Sequence, residues 1–279
     1  MASDGMFFTE EQTPNIRFSV RVREKLLARQ TPYQLLEVYE TEEFGKLMAL
    51  DGKVMLTERD ELYYHEMLTH PALMTHPAPR RALIIGGGDG GTAREVLRHP
   101  SVEEVIWSEI DEAVVEAARE FFPTVCAGVF EDARVKLRVL PGETVMANLT
   151  NEIDVILVDS TDPIGPAVPL FEAPFFTACR RALRKNGIYA TQCGSPFYFR
   201  AEAQSVDRHL RAVFAEVRRY LGMMPSYPSG VWSYVMAGDE PLAAPREEIE
   251  RRYAERELRL SYYTPDIHFA SAVIPPILQ

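Results

Sequence analysis

The sequence predicts an α/β protein, a parallel doubly wound sheet preceded by a small antiparallel β module. Three observations carry this. Residues 81–95, RALIIGGGDGGTARE, run from a short apolar strand through five glycines and one acid into a helical pattern. Downstream, strand-like and helix-like segments alternate, as they do when helices cover both faces of a parallel sheet. Upstream, Val-, Leu- and Tyr-rich runs surround Asp51-Gly52, a two-residue hairpin signal.

Taken in order, residues 1–58 form the amino-terminal β module, with strand-like runs at 19–28, 33–40 and 45–56. The remaining chain, 59–279, forms the larger α/β domain. Residues 57–73 read as its first helix, capped by Thr57, with Glu58, Asp60 and Glu61 in the first turn and an interruption at Pro71. His65, His70 and His76 raise the question of a metal site. Steps of five and six residues put neighbouring members on different helix faces, so they do not share an ion. Further strands are expected at 104–108, 135–139, 153–158, 188–192 and 231–237. Helices are expected at 112–122, 172–183, 200–221 and 246–258.

At 279 residues the chain is long enough to bury a full core. Its formal net charge of −11 argues against a nucleic-acid partner, which needs a basic face, and is compatible with a cationic substrate. No apolar run reaches membrane-spanning length, and the first residues lack a signal-peptide pattern. Cys126, Cys179 and Cys193 are far apart and odd in number, which reads as reduced thiols in a cytoplasmic protein.

Gly86, Gly88 and Gly91 fit G-x-G-x-x-G, a weak signal alone. Asp89 inside the loop changes its meaning. A carboxylate repels a pyrophosphate and suits a nucleoside that carries an amine and a sulfonium. The competing role for Asp89 is a helix cap, although five glycines exceed the needs of a turn. Glu109 ends the second strand 18 residues after Gly91, where a carboxylate accepts both ribose hydroxyls. Its alternative is an exposed acid at a strand end. Asp159 ends an apolar strand and opens Asp-Ser-Thr-Asp-Pro-Ile-Gly-Pro, a stiff loop that includes Asp162 and Pro166. Bonds to backbone N–H groups are the alternative for both acids, and the stronger one for Asp162 before Pro163. Four carboxylates without a matching Lys or Arg enclose a cation. Mg²⁺ or Ca²⁺ would compete for such a site. Tyr64, Tyr227 and Trp232 favour an organic amine with methylenes to cover.

These segments resemble the spermidine synthases, the polyamine aminopropyltransferases. The resemblance rests on GGGDGGTARE, SEID, VDSTDPIGP and PSYPSG. It extends to FFTEE, TPYQ, GKLMALDGKVMLTERDELYYHEMLTH and the terminal YYTPDIHFASAVIP, covering nearly the whole chain. It implies an amino-terminal β-domain joined to a Rossmann-like, methyltransferase-type domain, assembled as a homodimer or homotetramer. The implied reaction moves an aminopropyl group from the co-substrate decarboxylated S-adenosylmethionine to an amine, usually putrescine. It releases 5′-methylthioadenosine and uses no prosthetic group or metal.

By motif match, Gln34 and His65 border the nucleoside and its aminopropyl end, and Asp89 holds the transferred amine. Glu109 grips the ribose, Gly86 and Gly88 floor the site, and Pro166 lines the methylthio side. Asp159 is the proton acceptor and Asp162 a second amine-binding acid. Tyr64 and Tyr227 contact the acceptor diamine, and Trp232 walls its far end. Three positions depart from the family pattern. Leu140-Pro141-Gly142 replaces an Asp-Gly whose acid receives the adenine amino group, so Pro141 and Gly142 meet the adenine without a carboxylate. One lost hydrogen bond of this kind costs about 1 kcal/mol. Val168 stands where an acid is common, and Gly194 where many members have Glu. Three other functions are compatible with these residues: transfer to cadaverine, agmatine or spermidine, N-methylation from intact S-adenosylmethionine, and non-catalytic polyamine or nucleoside binding.

Overall fold

The computed structural model describes residues 5–161 and 165–278, without the side chains of Gly165 and Pro166. The amino-terminal module is an antiparallel sheet of five strands in sequence order: β1 (Phe7–Thr13), β2 (Ile16–Gln30), β3 (Leu35–Thr41), β4 (Lys46–Leu50) and β5 (Lys53–Thr57). Asp51 and Gly52 both take positive φ, 49° and 73°, which matches the right-handed twist of the flanking strands. β1 lies outside the three expected runs. Its apolar signal is diluted by threonine and glutamate, yet Phe8 and Glu10 both face inward.

Thr57 does not cap the first helix. It ends β5, and its hydroxyl bonds the Asp60 carboxylate. Helix α1 (Glu61–Thr75) starts after Asp60 and runs through Pro71 without interruption. Proline forfeits one ladder bond there. The helix is buried on every side, with only Leu62 and Tyr63 part-exposed, so packing outweighs that loss.

The second sheet has the order β11-β12-β10-β9-β6-β7-β8. Strands β6 (Arg81–Gly86), β7 (Glu104–Glu109), β8 (Val135–Val139), β9 (Ile153–Asp159) and β10 (Leu183–Gln192) are parallel to one another. β11 (Glu216–Met223) and β12 (Val231–Gly238) are antiparallel, which makes the sheet mixed. Helices α2 (Gly91–Leu97), α3 (Glu112–Phe121), α4 (Gly142–Met146), α5 (Ala173–Ala182), α6 (Arg200–Arg211), α7 (Arg246–Glu255) and α8 (Pro265–Ser271) complete the order.

The expected helix over 200–221 is corrected. α6 stops at Arg211, and β11 pairs along its whole length with β12, from Glu216 opposite Gly238 to Met223 opposite Val231. Tyr220 stacks on Tyr234 at 5.3 Å. Cross-strand packing of this kind overrides local propensity.

Along β6 the side chains alternate between two cores. Ala82 and Ile84 join the core beneath α1, and Leu83 and Ile85 the core that includes α5. A third cluster joins Leu36, Val38, Met48 and Leu56 of the small sheet to Ala113, Val114 and Ala117 of α3. The chain leaves β6 toward β7 and β8 and returns through β9 on the opposite side. The topological switch point therefore lies between β6 and β9, and a ligand crevice opens beyond their carboxyl ends.

Candidate active site

At the switch point Gly86 lies directly opposite Asp159 in the parallel register. Gly87 N–H donates to the Asp159 carbonyl at 2.7 Å. A Cβ on Gly86, whose φ is +82°, would stand 2.1 Å from that carbonyl oxygen. Close approach of the two strand ends is thus what this glycine permits.

Asp89 lines the cavity and also bonds the backbone at the start of α2. Its Oδ1 accepts the Gly91 N–H at 2.7 Å at the start of α2, and the same oxygen lies 3.2 Å from His65 Nε2. The other ring nitrogen of His65 is 2.6 Å from Glu61 Oε2. Burial disfavours a charged His65, but Asp89 and Glu61 outweigh it and hold the imidazole well above its usual range. Burial likewise pushes Asp89 up, and the His65 charge, with the Gly91 N–H, brings it below the ordinary carboxylate range. The expected enclosure of uncompensated acids therefore contains a cation of its own.

Asp159 is held from two elements. Tyr64 donates to Oδ1 at 2.9 Å and Thr92 to Oδ2 at 2.6 Å. Burial, reinforced by the nearby Asp89 charge, raises its pKa above the usual carboxylate value. Ligand atoms of His65, Asp89 and Asp159 lie within 4.8 Å of one another, a spacing that also suits one metal ion. His65 turns both ring nitrogens to carboxylates and so offers N–H groups rather than the lone pair a metal needs.

The other two histidines of the trio turn elsewhere. Arg256 lies 3.1 Å from His99 Nδ1 and can only donate. His99 Nε2 therefore donates to His70 Nδ1 at 2.9 Å, and His70 Nε2 to Glu95 at 3.0 Å. His76 Nε2 meets Asn186 at 3.2 Å.

Glu109 ends β7 against the cavity beside Gly88, as its spacing predicts. Burial pushes its pKa up to about 7, although the N–H groups of Asp111 and Ile110 oppose this. The native state holds this proton more tightly than the unfolded chain. Its stabilising contribution is therefore complete below pH 4.5 and lost as pH rises to about 7. A ribose diol donates best to the ionised form. Affinity for an adenosine-type ligand should fall as pH drops through about 7, and Glu109→Gln should flatten that dependence. Titration calorimetry across this range checks it, and an equal slope in both proteins refutes it.

Gln34 lines the cavity and donates to Asp111 Oδ2 at 3.0 Å, which Thr31 Oγ1 also reaches at 2.7 Å. Asp111 thereby ties the small sheet to the start of α3. Its capping role before an apolar run is legible in the sequence, but its bonds to residues 77 and 80 positions away are not. Thr92 and Glu61 were missed for the same reason.

At the far end Pro141 precedes α4, and Gly142 is buried against Ile85 and lines the cavity together with Ser108, Ile110, Ala167 and Leu170. Glu143 adds an acid to this lining. Among the described residues, no Lys or Arg lines this cavity.

An adjoining recess of about 380 Å³ shares Tyr64, Tyr227 and Gln34 with it and is walled by Trp232. Lys53 is at its rim, 3.7 Å from Glu10. The three aromatic residues come together as expected. The Tyr227 ring lies 5.8 Å from Tyr64 and 4.7 Å from Trp232, and its hydroxyl donates to the Met55 carbonyl at 2.5 Å. Asp162 lies outside the described residues. Of Pro166 nothing is described beyond its place in the short 3-10 helix Gly165–Phe171.

A family model described as a spermine/spermidine synthase domain matches residues 61–246, and one described as a spermidine synthase tetramerisation domain matches residues 6–58. A polyamine aminopropyltransferase of Moorella thermoacetica is 43% identical over 277 residues, 99% of this chain and 95% of the relative. One from Shouchella clausii is 41% identical over 275 residues, 98% of each chain. A solved spermidine synthase in complex with the transition-state analogue AdoDATO superposes with a TM-score of 0.94 at 37% identity, covering 99% of this chain and 94% of that one. The spermidine synthase of Thermotoga maritima gives 0.92 at 36% identity, covering 99% and 93%.

Proposed function

The chain belongs to the spermine/spermidine synthase family, and on that premise we propose that it transfers the aminopropyl group of decarboxylated S-adenosylmethionine to putrescine. The products are spermidine and 5′-methylthioadenosine. The observation that carries this reading is the approach of the Asp89 and Asp159 carboxylates to within 4.8 Å at the β6–β9 switch point, in a cavity with no Lys or Arg lining it among the described residues.

In this reading Glu109 takes the ribose hydroxyls, and Gln34, Gly86, Gly88, Pro141, Gly142 and Pro166 border the nucleoside. Asp89 receives the donor's amine beside His65. The acceptor lies along Tyr64, Tyr227 and Trp232, with Asp162 as a further acid for its amines. The neutral acceptor nitrogen attacks the methylene next to the sulfonium. The new C–N bond forms as the C–S bond breaks, and methylthioadenosine leaves with the electron pair. Positive charge moves from sulfur to nitrogen between fixed carboxylates, which stabilise it throughout. Asp159 takes the proton that the new ammonium gives up, and its raised pKa brings it closer to that task than an ordinary carboxylate. No prosthetic group or metal takes part.

We divide the chain at residue 58 into the small β module and the catalytic domain, a division supported by family matches over residues 6–58 and 61–246. The tetramerisation match supports a homodimer or homotetramer. Among the described residues no helix is long and apolar enough to cross a membrane. In this reading the enzyme is cytoplasmic and its partners are the small-molecule diamine and sulfonium nucleoside, without membrane or nucleic acid.

The test is mass spectrometry of the products formed from decarboxylated donor and a mixture of putrescine, cadaverine, agmatine and spermidine. Spermidine is the expected main product. A product of another amine would reassign the acceptor, and the larger recess, with Gly194 at its wall, is the feature that would favour a longer one. Intact S-adenosylmethionine carries an extra carboxylate that Asp89 repels. Methylated amine from that donor would support the methyltransferase alternative.

A further inference from the structure

One turn before Tyr64 and His65 on α1 stands Glu61, which the transfer reaction never touches. Residues four apart on a helix lie one above the other, so Glu61 and His65 share a face. Their side chains are 7% and 2% exposed and meet at 2.6 Å. Arg94 of α2 closes on the same carboxylate with two bonds, 2.9 Å to Oε1 and 2.8 Å to Oε2. This fork fixes the plane of the carboxylate as well as its position. Arg94 is itself held by Glu95 at 2.7 Å and by the Val125 carbonyl at 2.9 Å. Across the imidazole, Nε2 faces Asp89 Oδ1 at 3.2 Å. An ionised carboxylate only accepts, so each ring nitrogen carries a proton.

We propose that Glu61 is a positioning residue of the donor site: clamped by Arg94, it holds His65 as an imidazolium turned on Asp89 and so fixes the carboxylate that receives the donor's amine. The inference rests on the assignment of Asp89 to that amine. The groups that face His65 come from every element around it. Glu61 and the Tyr64 ring belong to α1, Asp89 to the glycine loop, Asp159 to the end of β9, and Arg94 acts from α2 through Glu61. The balance of these groups favours the cation, and Glu61 itself is held below the usual carboxylate range, against burial, by His65 and Arg94.

The experiment is ¹⁵N NMR of histidine-labelled whole enzyme without donor at about pH 8, above the usual imidazole range, with His65→Asn used to identify the His65 signals. Both nitrogens of His65 should show imidazolium shifts. In Glu61→Gln the ring should titrate at least about one pH unit lower, because one of its two anions is gone. The pH profile of donor KM should move by the same amount, and Glu61→Asp should restore both. A His65 with one bare nitrogen in the parent enzyme overturns the proposal, and that measurement holds even if the variants fold poorly. So does a Glu61→Gln protein whose His65 titrates as in the parent. A merely structural role for Glu61 would lower stability without moving the titration. Failure of the aminopropyl reading would appear in the product analysis and leave the imidazole spectrum unchanged, so the two fail separately.

Discussion

Replacing Asp159 with asparagine is expected to lower turnover about 100- to 10,000-fold, the range for loss of a positioned acid–base group. Donor affinity should change less than about tenfold, or about 1.4 kcal/mol. The substitution keeps the shape of the side chain. An asparagine carbonyl still accepts from Tyr64, and the Thr92 hydroxyl can turn to accept from the amide. What disappears is the capacity to take a proton and the negative charge that follows the migrating cation. Release of methylthioadenosine measures turnover, and titration calorimetry measures the donor. A variant that keeps more than about a tenth of parental turnover would fall outside that range and remove Asp159 from the mechanism.

Gly91→Ala should be comparably damaging for a different reason. Alanine is the better helix former by up to about 1 kcal/mol, so on propensity alone the change should stabilise α2. The added Cβ, however, would lie 2.3 Å from Cε1, 2.4 Å from Nδ1 and 2.6 Å from Nε2 of His65. The ring has no easy retreat, since Glu61 and Asp89 hold its two nitrogens and Tyr64 meets it edge-on at 5.5 Å. Overpacking of this kind costs about 1–3 kcal/mol, enough to reverse the propensity gain. Denaturant unfolding should show the loss, and donor affinity should fall as His65 leaves Asp89. An alanine variant that is as stable as the parent and binds donor equally would show that the ring moves freely.

Both results depend on contacts of very different sequence range. The Asp51-Gly52 hairpin is dictated by local backbone chemistry and is legible from a few residues, whereas the glycine at 86 is legible as part of a motif and the reason for it, the Asp159 carbonyl on β9, is not. The strand-end placement of Glu109 and Asp159 followed from the strand periodicity and the motif spacing. β11 was not legible. Its two arginines, together with the helical pattern running on from α6, hid a strand that exists because β12 pairs with it over eight positions. The passage of α1 through Pro71 was equally hidden, since what compensates the lost bond is burial of the helix in the core it shares with the large sheet and α2.

The sequence alone determined the fold class, the small β module, the acids at the strand ends and the family. Each of these is written in short-range patterns of apolar residues, glycines and motif spacing. Only the tertiary structure decided how much charge those acids carry. Asp89 is compensated by His65, His65 by Glu61, and Glu61 by Arg94, which lies 33 positions away in the chain. Glu109 is driven toward neutrality by burial, with the Asp111 and Asp89 charges adding to it. The charge state of a buried group is set by the dipoles and ions within a few ångströms of it, and folding brings those neighbours from distant parts of the chain.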